Sequence, residues 1–207
     1  MKIYDISPLL HPGIAVWPGD TPFSRTELMR LSDGESINLS SVTLSLHTGA
    51  HADAPSHFLS GGTPIDQVDL HLYVGPARIV TLHVAQCVDA EDLQEILRSK
   101  PERLLIRVNP NIDPDYFPEK CVHLSPRAAT RIGMAGVKLI GTDAPSVDPV
   151  DSKDLPAHHA LARYGTAILE NLNLRQVPDG DYELIALPLK IAGGDASPVR
   201  AILREME

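Results

Sequence analysis

Short apolar runs separated by turn-forming residues dominate the pattern of this chain. Runs rich in Val, Ile and Leu predict β-strands, and apolar positions three and four residues apart predict helices. The strands are expected at 3–6, 77–84, 103–108, 137–141, 166–170, 182–191 and 199–203. Helices are expected from Asp89, from Ser125 and, as a short one, from Pro156.

The order of these elements predicts a mixed α/β fold that is rich in strands. The sequence contains no internal repeat, no low-complexity tract and no linker, so one domain over residues 1–207 is expected. Its 18 prolines and 14 glycines predict that many connections are sharp turns.

A polar cluster interrupts the apolar pattern shortly after a stretch, 42–47, in which apolar and polar residues alternate as in a half-buried strand. The cluster consists of four side chains at odd-numbered positions: His47, His51, Asp53 and His57. Because side chains on a strand alternate between its faces, all four would project to one side of an extended chain. Gly49 and Pro55 break such a strand, so the cluster is expected where a strand runs into a loop.

Imidazoles and a carboxylate that converge on one face suit a divalent metal of the zinc type. We therefore predict that His47, His51 and Asp53 bind a metal. The spacing leaves His57 open as a fourth ligand, as a proton-transfer group or as a bystander.

Two distant residues are candidates for completing the site, because a zinc ion needs about four ligands. His158 belongs to a His-His pair, and Glu170 closes an apolar run where an unpartnered charge would be costly. Asp53 and Glu170 could each bridge two metals through their two carboxylate oxygens.

One rival interpretation uses a smaller set of residues. His51, Asp53 and a distant His158 also fit the two-histidine, one-carboxylate triad of non-heme iron oxygenases. That hypothesis leaves His47 and Glu170 without a role, and it is therefore the weaker one.

The composition narrows the range of partners. A net charge of −9 without a basic run argues against nucleic acid and anionic membrane surfaces. No apolar stretch reaches the ~20 residues of a membrane span, and the start does not have the pattern of a signal peptide, so a cytoplasmic protein is expected. Cys87 and Cys121 stand apart from each other and from histidines, which predicts reduced, inert thiols.

The only tryptophan, Trp17, lies in a Pro/Gly-rich segment rather than in a periodic apolar stretch. A core anchor and a flat wall for an aromatic ligand are equally good interpretations of such a residue. A second polar loop follows the predicted strand 137–141, and it carries Asp143, Ser146 and Asp148. For Asp148 we predict a turn-forming role.

The run from His47 to Phe58 resembles the H-x-G-[TA]-H-x-D-x-P-x-H-F signature of the metal-dependent hydrolases of the cyclase family. The resemblance covers nearly the whole chain and favours the arylformamidase branch; Ala50 stands where threonine is common in the wider family. The other matching segments are Asp5–Pro8, Val16–Asp20, Leu139–Ser146, Ala157–His159, Glu183–Lys190 and Asp195–Ala201.

The resemblance implies a role for each candidate residue. His47, His51 and Asp53 would hold one zinc, and Asp53 would also reach a second zinc. His158 would bind that second metal, and Glu170 would bridge the pair, although Mn²⁺ or another divalent ion is possible. His57 would donate and accept protons, and Trp17 would contact an aromatic substrate. The implied fold is the swivelling β/β/α type, assembled as a homodimer.

The implied reaction is hydrolysis of N-formyl-L-kynurenine to L-kynurenine and formate, a step of tryptophan breakdown. Metal-bound hydroxide, formed because a metal lowers the pKa of its water to ~7, would attack the formyl carbon. His57 would pass the proton to the departing aryl amine. The alternatives are another small amide such as isatin, the iron oxygenase, and a metal-binding protein without catalysis.

Overall fold

The computed structural model describes residues 1–109 and 111–206, and it shows the strand-rich α/β architecture that the sequence predicts. Its strands are β1 Ile3–Asp5, β2 Ser24–Met29, β3 Leu39–Thr43, β4 His51–Asp53, β5 Val74–Thr81, β6 Cys87–Val88, β7 Arg103–Arg107, β8 His123–Leu124, β9 Leu139–Thr142, β10 Ala167–Glu170, β11 Gly180–Ile185, β12 Ala196–Pro198 and β13 Ile202–Glu205.

The helices are short: α1 Gln94–Arg98, α2 Pro126–Met134 and α3 Pro156–Ala162. Single 3₁₀ turns lie at Leu31–Asp33, Pro55–His57, Ile65–Gln67 and Leu70–Leu72. In the described part of the chain, none of the helices has the length and apolarity that crossing a membrane requires.

Among the described residues, nine strands form one mixed sheet in the order β1-β13-β11-β5-β7-β9-β10-β4-β12. The four central strands β5, β7, β9 and β10 are parallel, and the strands on either side of them are antiparallel. Two small sheets, β2-β3 and β6-β8, lie outside it. The carboxyl ends of the parallel strands therefore meet at one edge, which is where α/β proteins bind ligands.

Alternation along the central strands divides the apolar side chains between two cores. Leu105 and Leu169 belong to one core, and that core also contains Ala52 and Leu203 from opposite ends of the sheet. The sheet must curl around this core, because strands far apart in its order contribute to the same cluster. The second core lies on the other face of the sheet, where it includes apolar residues of α2 and α3 such as Ile132.

The start of α2 follows the sequence prediction. Ser125 is its N-cap, since the hydroxyl oxygen accepts a hydrogen bond from the Ala128 N–H at 3.0 Å, and Pro126 occupies the first turn. The helix expected from Asp89 begins only at Gln94. Asp89 instead accepts a hydrogen bond from the Ser125 hydroxyl at 2.7 Å, so that its side chain stabilises the packing of two segments.

The predicted half-buried strand over 42–47 is wrong in both its length and its burial. Strand β3 ends at Thr43 and pairs with β2 in the small sheet, where Val42 is 55% exposed. The expected strand at 182–191 likewise ends at Ile185. Alternation of polar and apolar residues fixes neither the sheet to which a strand belongs nor the residue at which it ends.

Candidate metal centre

Strand β4 is the element that gathers the candidate ligands. His51 and Asp53 are two residues apart on this strand, so both side chains project to the same face. In the antiparallel pairing of β4 with β10, Glu170 lies opposite His51 and projects to that face as well. His158 comes from α3, and His47 precedes a turn in which Gly49 has a left-handed φ of 66°.

The five side chains form a single cluster that centres on Asp53. Its Oδ1 lies 3.2 Å from His47 Nδ1 and 3.4 Å from His51 Nε2, whereas its Oδ2 lies 3.3 Å from His158 Nε2. Glu170 spans the other side, with Oε2 3.4 Å from His51 Nε2 and Oε1 3.6 Å from His158 Nε2.

Two overlapping groups in this cluster have the geometry of a metal site. His47, His51 and Asp53 offer donor atoms within 4.8 Å of one another, and so do Asp53, His158 and Glu170. Asp53 is common to both groups, and each of its oxygens faces different histidines. The arrangement thus suits two ions that share one carboxylate.

Buried polar atoms provide a test of whether a cation fits here. His51 Nε2 and Asp53 Oδ1 are buried and have no hydrogen-bond partner. Such atoms are costly unless something satisfies them, and a metal bound to both would do so. The nitrogen and oxygen donors present are those that zinc accepts.

The carboxylates of the cluster also create an environment that stabilises positive charge. Burial lowers the pKa of His51, but the adjacent carboxylates of Asp53 and Glu170 outweigh burial and raise the pKa to about 10. Burial opposes protonation of His158 too, yet Asp148 and Asp53 raise its pKa to about 10. Dications would supply the charge that these carboxylates otherwise obtain from protons.

Outer partners orient both buried imidazoles toward the cluster. The Gly49 carbonyl lies 2.9 Å from His51 Nδ1, and the Asp148 carboxylate lies 2.7 Å from His158 Nδ1. Each ring therefore presents its Nε2 to the centre, as second-shell partners of metal ligands commonly ensure. Glu170 is held in turn by the Val147 N–H, which donates to its Oε1 at 2.8 Å.

Asp148 is not the turn-former that the sequence suggested. It is completely buried, and besides the imidazole of His158 it accepts hydrogen bonds from the backbone N–H groups of Ala157 at 2.9 Å and of His158 at 3.0 Å. The carboxylate fixes both the first turn of α3 and the ring that this helix carries. Its partners lie nine and ten residues ahead, so no local pattern reveals the contacts.

His57 lies beside the cluster but belongs to neither of the two groups that share Asp53. Its ring centroid is 4.3 Å from that of His47, and its Nδ1 is 3.5 Å from Asp195 Oδ2. Burial lowers the pKa of His57, which outweighs the nearby negative charge of Asp53. With His47 and Asp195 it forms a third possible metal-binding group, more exposed than the other two.

Asp195 is a site residue that the sequence analysis missed. Its Oδ2 lies 3.1 Å from His47 Nε2, so this carboxylate contacts both His47 and His57. The preceding Gly194 carbonyl accepts a hydrogen bond from the Ile65 N–H, and the Asp195 carbonyl accepts one from Ala54, which fixes the loop against β4. The only sequence signal was an acid directly after a Gly-Gly turn.

The remaining polar residues of the loop after β9 serve its structure. The Asp143 carboxylate accepts hydrogen bonds from the Val108 and Asn109 N–H groups at 2.9 and 3.0 Å. Burial raises the pKa of Asp143 to about 6, against these backbone hydrogen bonds, which lower it. The Ser146 hydroxyl oxygen accepts the Asp148 N–H at 3.1 Å.

A cavity of about 460 Å³ opens onto the cluster. Trp17 lies in its wall, 39% exposed, and packs edge-to-face on Phe117 with ring centroids 5.0 Å apart. Trp17 is therefore not a core anchor, and its contact with an aromatic ligand stays a prediction. The other apolar lining residues include Pro8, Ile14, Val16, Tyr116, Pro118, Pro145, Leu155 and Leu172.

Comparison with known proteins identifies the family of this chain. The family model described as "Putative cyclase" matches residues 4–149. The chain belongs to the cyclase family. A relative, kynurenine formamidase from Bacillus cytotoxicus, is 46% identical over 202 residues, which cover 98% of this chain and 97% of the relative.

Solved structures of other proteins share the architecture. One described as a "potential metal-dependent hydrolase with cyclase activity" superposes with a TM-score of 0.85 at 26% identity over 99% of both chains. Isatin hydrolase A from Labrenzia aggregata superposes with a TM-score of 0.81 at 25% identity, covering 98% of this chain and 93% of that one. The family and the fold implied by the sequence resemblance are thereby confirmed.

Proposed function

We propose that this cyclase-family chain hydrolyses N-formyl-L-kynurenine to L-kynurenine and formate with the help of two zinc ions. The observation that carries the proposal is the near-complete alignment with a kynurenine formamidase at 46% identity. The cluster around Asp53 supports it, because the cluster offers two adjoining sets of zinc-type donors at the floor of a cavity with aromatic walls. That the chain is a hydrolase is confirmed by the kynurenine formamidase relatives.

In this proposal His47, His51 and Asp53 hold one zinc, and Asp53, His158 and Glu170 hold the other. The bound metals would supply a water of lowered pKa and stabilise negative charge on the formyl oxygen. Asp148 and the Gly49 carbonyl keep the imidazoles of His158 and His51 in the tautomer that can bind a metal.

His57 transfers the proton. Its pKa lies below the usual 6.5, so the ring is neutral at pH 7 and can accept a proton from the attacking water. It then delivers that proton to the aryl nitrogen as the C–N bond breaks, which yields the amine and formate. Asp195, 3.5 Å from Nδ1, lies where it can orient the ring and offset the positive charge that forms.

The cavity wall fits the aromatic half of this substrate. Trp17 and Phe117 present apolar ring surfaces against which an aryl group can stack. The formyl group is the smallest acyl group, so its carbon can approach the buried cluster closely.

A chelation experiment tests the proposal. Zinc-loaded protein should convert N-formyl-L-kynurenine to L-kynurenine, both in air and anaerobically. Treatment with a chelator should reduce the rate at least about a hundredfold, and added Zn²⁺ should restore it, because the metals supply several kcal/mol of transition-state stabilisation. Absence of turnover in protein shown to contain two zinc ions would refute the substrate assignment.

A second candidate substrate is isatin, which the likeness to isatin hydrolase A favours. Comparing kcat/KM for the two substrates decides between them. The oxygenase interpretation is less well supported, since His47 and Glu170, which it left without a role, lie in the same cluster as its three ligands.

We further propose that the chain forms a homodimer. The β2-β3 sheet exposes apolar side chains to solvent, with Leu28 59%, Leu39 44% and Val42 55% exposed. A self-complementary contact would bury such a patch. Light scattering should then give twice the mass of 22.5 kDa, and a monomer at micromolar concentration would contradict the proposal.

A further inference from the structure

Arg175 lies in the wall of the cavity that opens onto the metal centre. Among the described lining residues it is the one side chain with a permanent positive charge. The cavity walls otherwise carry negative charge, from Asp20, Asp113 and Asp143. A substrate carboxylate would be repelled from these parts of the wall and attracted to Arg175.

The guanidinium of Arg175 is available to a ligand. It donates one hydrogen bond to the Ile112 carbonyl, and no carboxylate of residues 1–109 or 111–206 lies within 4.0 Å of it. By contrast, Arg107 pairs with Asp179, and Arg200 pairs with Asp5. A guanidinium has five N–H donors in a planar fork, so several remain free to bind a carboxylate in bidentate fashion.

The backbone that carries Arg175 is held on both sides. Arg107 donates hydrogen bonds to the Leu174 carbonyl at 2.7 Å and to the Val177 carbonyl at 2.6 Å. The Asn173 N–H donates to the Ile6 carbonyl at 2.8 Å. These contacts hold the backbone around Arg175 in place. The segment directly follows Glu170 at the end of β10, so this backbone is anchored next to the metal centre.

Resting on the function proposed above, we propose that Arg175 binds the α-carboxylate of the substrate and selects aryl formamides that carry an amino-acid side chain. The aryl ring lies against Trp17, the formyl group reaches the metal centre, and the carboxylate is paired at the cavity wall. Arg175 takes no part in bond breaking in this proposal, so it contributes to binding rather than to the chemical step.

Two substrates separate this role from a structural one. N-formyl-L-kynurenine has the carboxylate, whereas N-(2-acetylphenyl)formamide retains the ring, the ketone and the formamide but lacks the amino-acid group. The variant Arg175→Gln should raise KM for the first about tenfold to a hundredfold with kcat little changed, which is the usual range for a charge-assisted hydrogen bond. Its kcat/KM for the second should stay within about twofold of the wild-type value.

Conservative and control variants sharpen the result. Arg175→Lys keeps the charge but not the fork, so it should recover part of the affinity for N-formyl-L-kynurenine. Arg127→Gln, at an exposed position of α2 outside the cavity, should leave kcat/KM unchanged for both substrates. Equal losses on both substrates in Arg175→Gln would overturn the proposal, because they would indicate a role in loop structure.

A binding measurement keeps the inference separate from the reaction. If the wild-type protein hydrolyses neither formamide, the proposed function fails, and the affinities of the zinc-loaded protein for L-kynurenine and 2-aminoacetophenone then test Arg175. The change in Trp17 fluorescence on binding can be used to measure the affinity for each of the two ligands. Weaker binding of L-kynurenine alone in Arg175→Gln supports the carboxylate site, and unchanged binding of both ligands overturns it.

Discussion

Replacing Asp53 with asparagine should remove both metals and reduce turnover about a thousandfold or more. Asp53 is the one side chain common to both metal-binding groups, and its two oxygens face His47 and His51 on one side and His158 on the other. An amide keeps the shape but offers one weak oxygen donor and no negative charge. The metals supply several kcal/mol of catalysis, which corresponds to a rate loss of that size.

The prediction is checked by measuring the metal content of the folded variant and its rate of hydrolysis of N-formyl-L-kynurenine. Circular dichroism shows whether Asp53→Asn folds, and Asp151→Asn is a matched control at an exposed position, expected to retain both metals and full rate. A folded Asp53→Asn protein with two zinc ions and wild-type turnover would contradict the shared-carboxylate arrangement.

Replacing His57 with alanine should have the opposite combination of effects: metal content unchanged and kcat reduced by about 10²- to 10⁴-fold, the usual contribution of a general acid-base group. His57 lies next to His47 but outside the two groups that share Asp53. The control His83→Ala changes an exposed histidine outside the cavity and should leave kcat unaltered. Loss of one metal in His57→Ala would show that His57 is a ligand instead.

The pH profile gives a second measurement of the same role. Burial holds the pKa of His57 below 6.5, and nearby dications would lower it further. The ring accepts protons only above its pKa, so wild-type kcat/KM should fall as the pH falls through a value below 6.5. The residual activity of His57→Ala should lack this limb over the pH range in which metal content stays constant. An identical limb in the variant would assign it to another group.

The sequence correctly predicted which residues come together. It did not correctly predict the backbone conformation that brings them together. The odd-numbered spacing brought His47, His51, Asp53 and His57 together on one expected strand, and the structure does bring them together. Only His51 and Asp53 share a strand, however; Gly49 adopts a left-handed turn, and His57 ends a 3₁₀ turn that begins at Pro55. The breaks at Gly49 and Pro55 were visible in the sequence, but the path of the chain after each break depends on tertiary contacts.

Two of the residues that the sequence did not indicate, Asp195 and Arg175, have partners that are distant in the chain. Asp195 contacts His47 across 148 positions, and Arg175 contacts the Ile112 carbonyl across 63. Asp148 has a nearer partner, but its role depends on burial beneath α3, which no turn signal encodes. Local patterns predict strands, caps and turns, whereas long-range pairing of charged groups becomes visible only in the fold.

Strand β10 has four residues, and its register against β4 limits which insertions the neighbouring turn tolerates. If β10 slid by one position, Leu169 would enter the polar centre and Glu170 would turn into the apolar core inside the curled sheet. The exposed turn before it, at 163–165, resembles a place where evolution freely adds or removes residues. A residue inserted into that turn would therefore preserve the metal centre only if the turn itself accommodates it and β10 keeps its register.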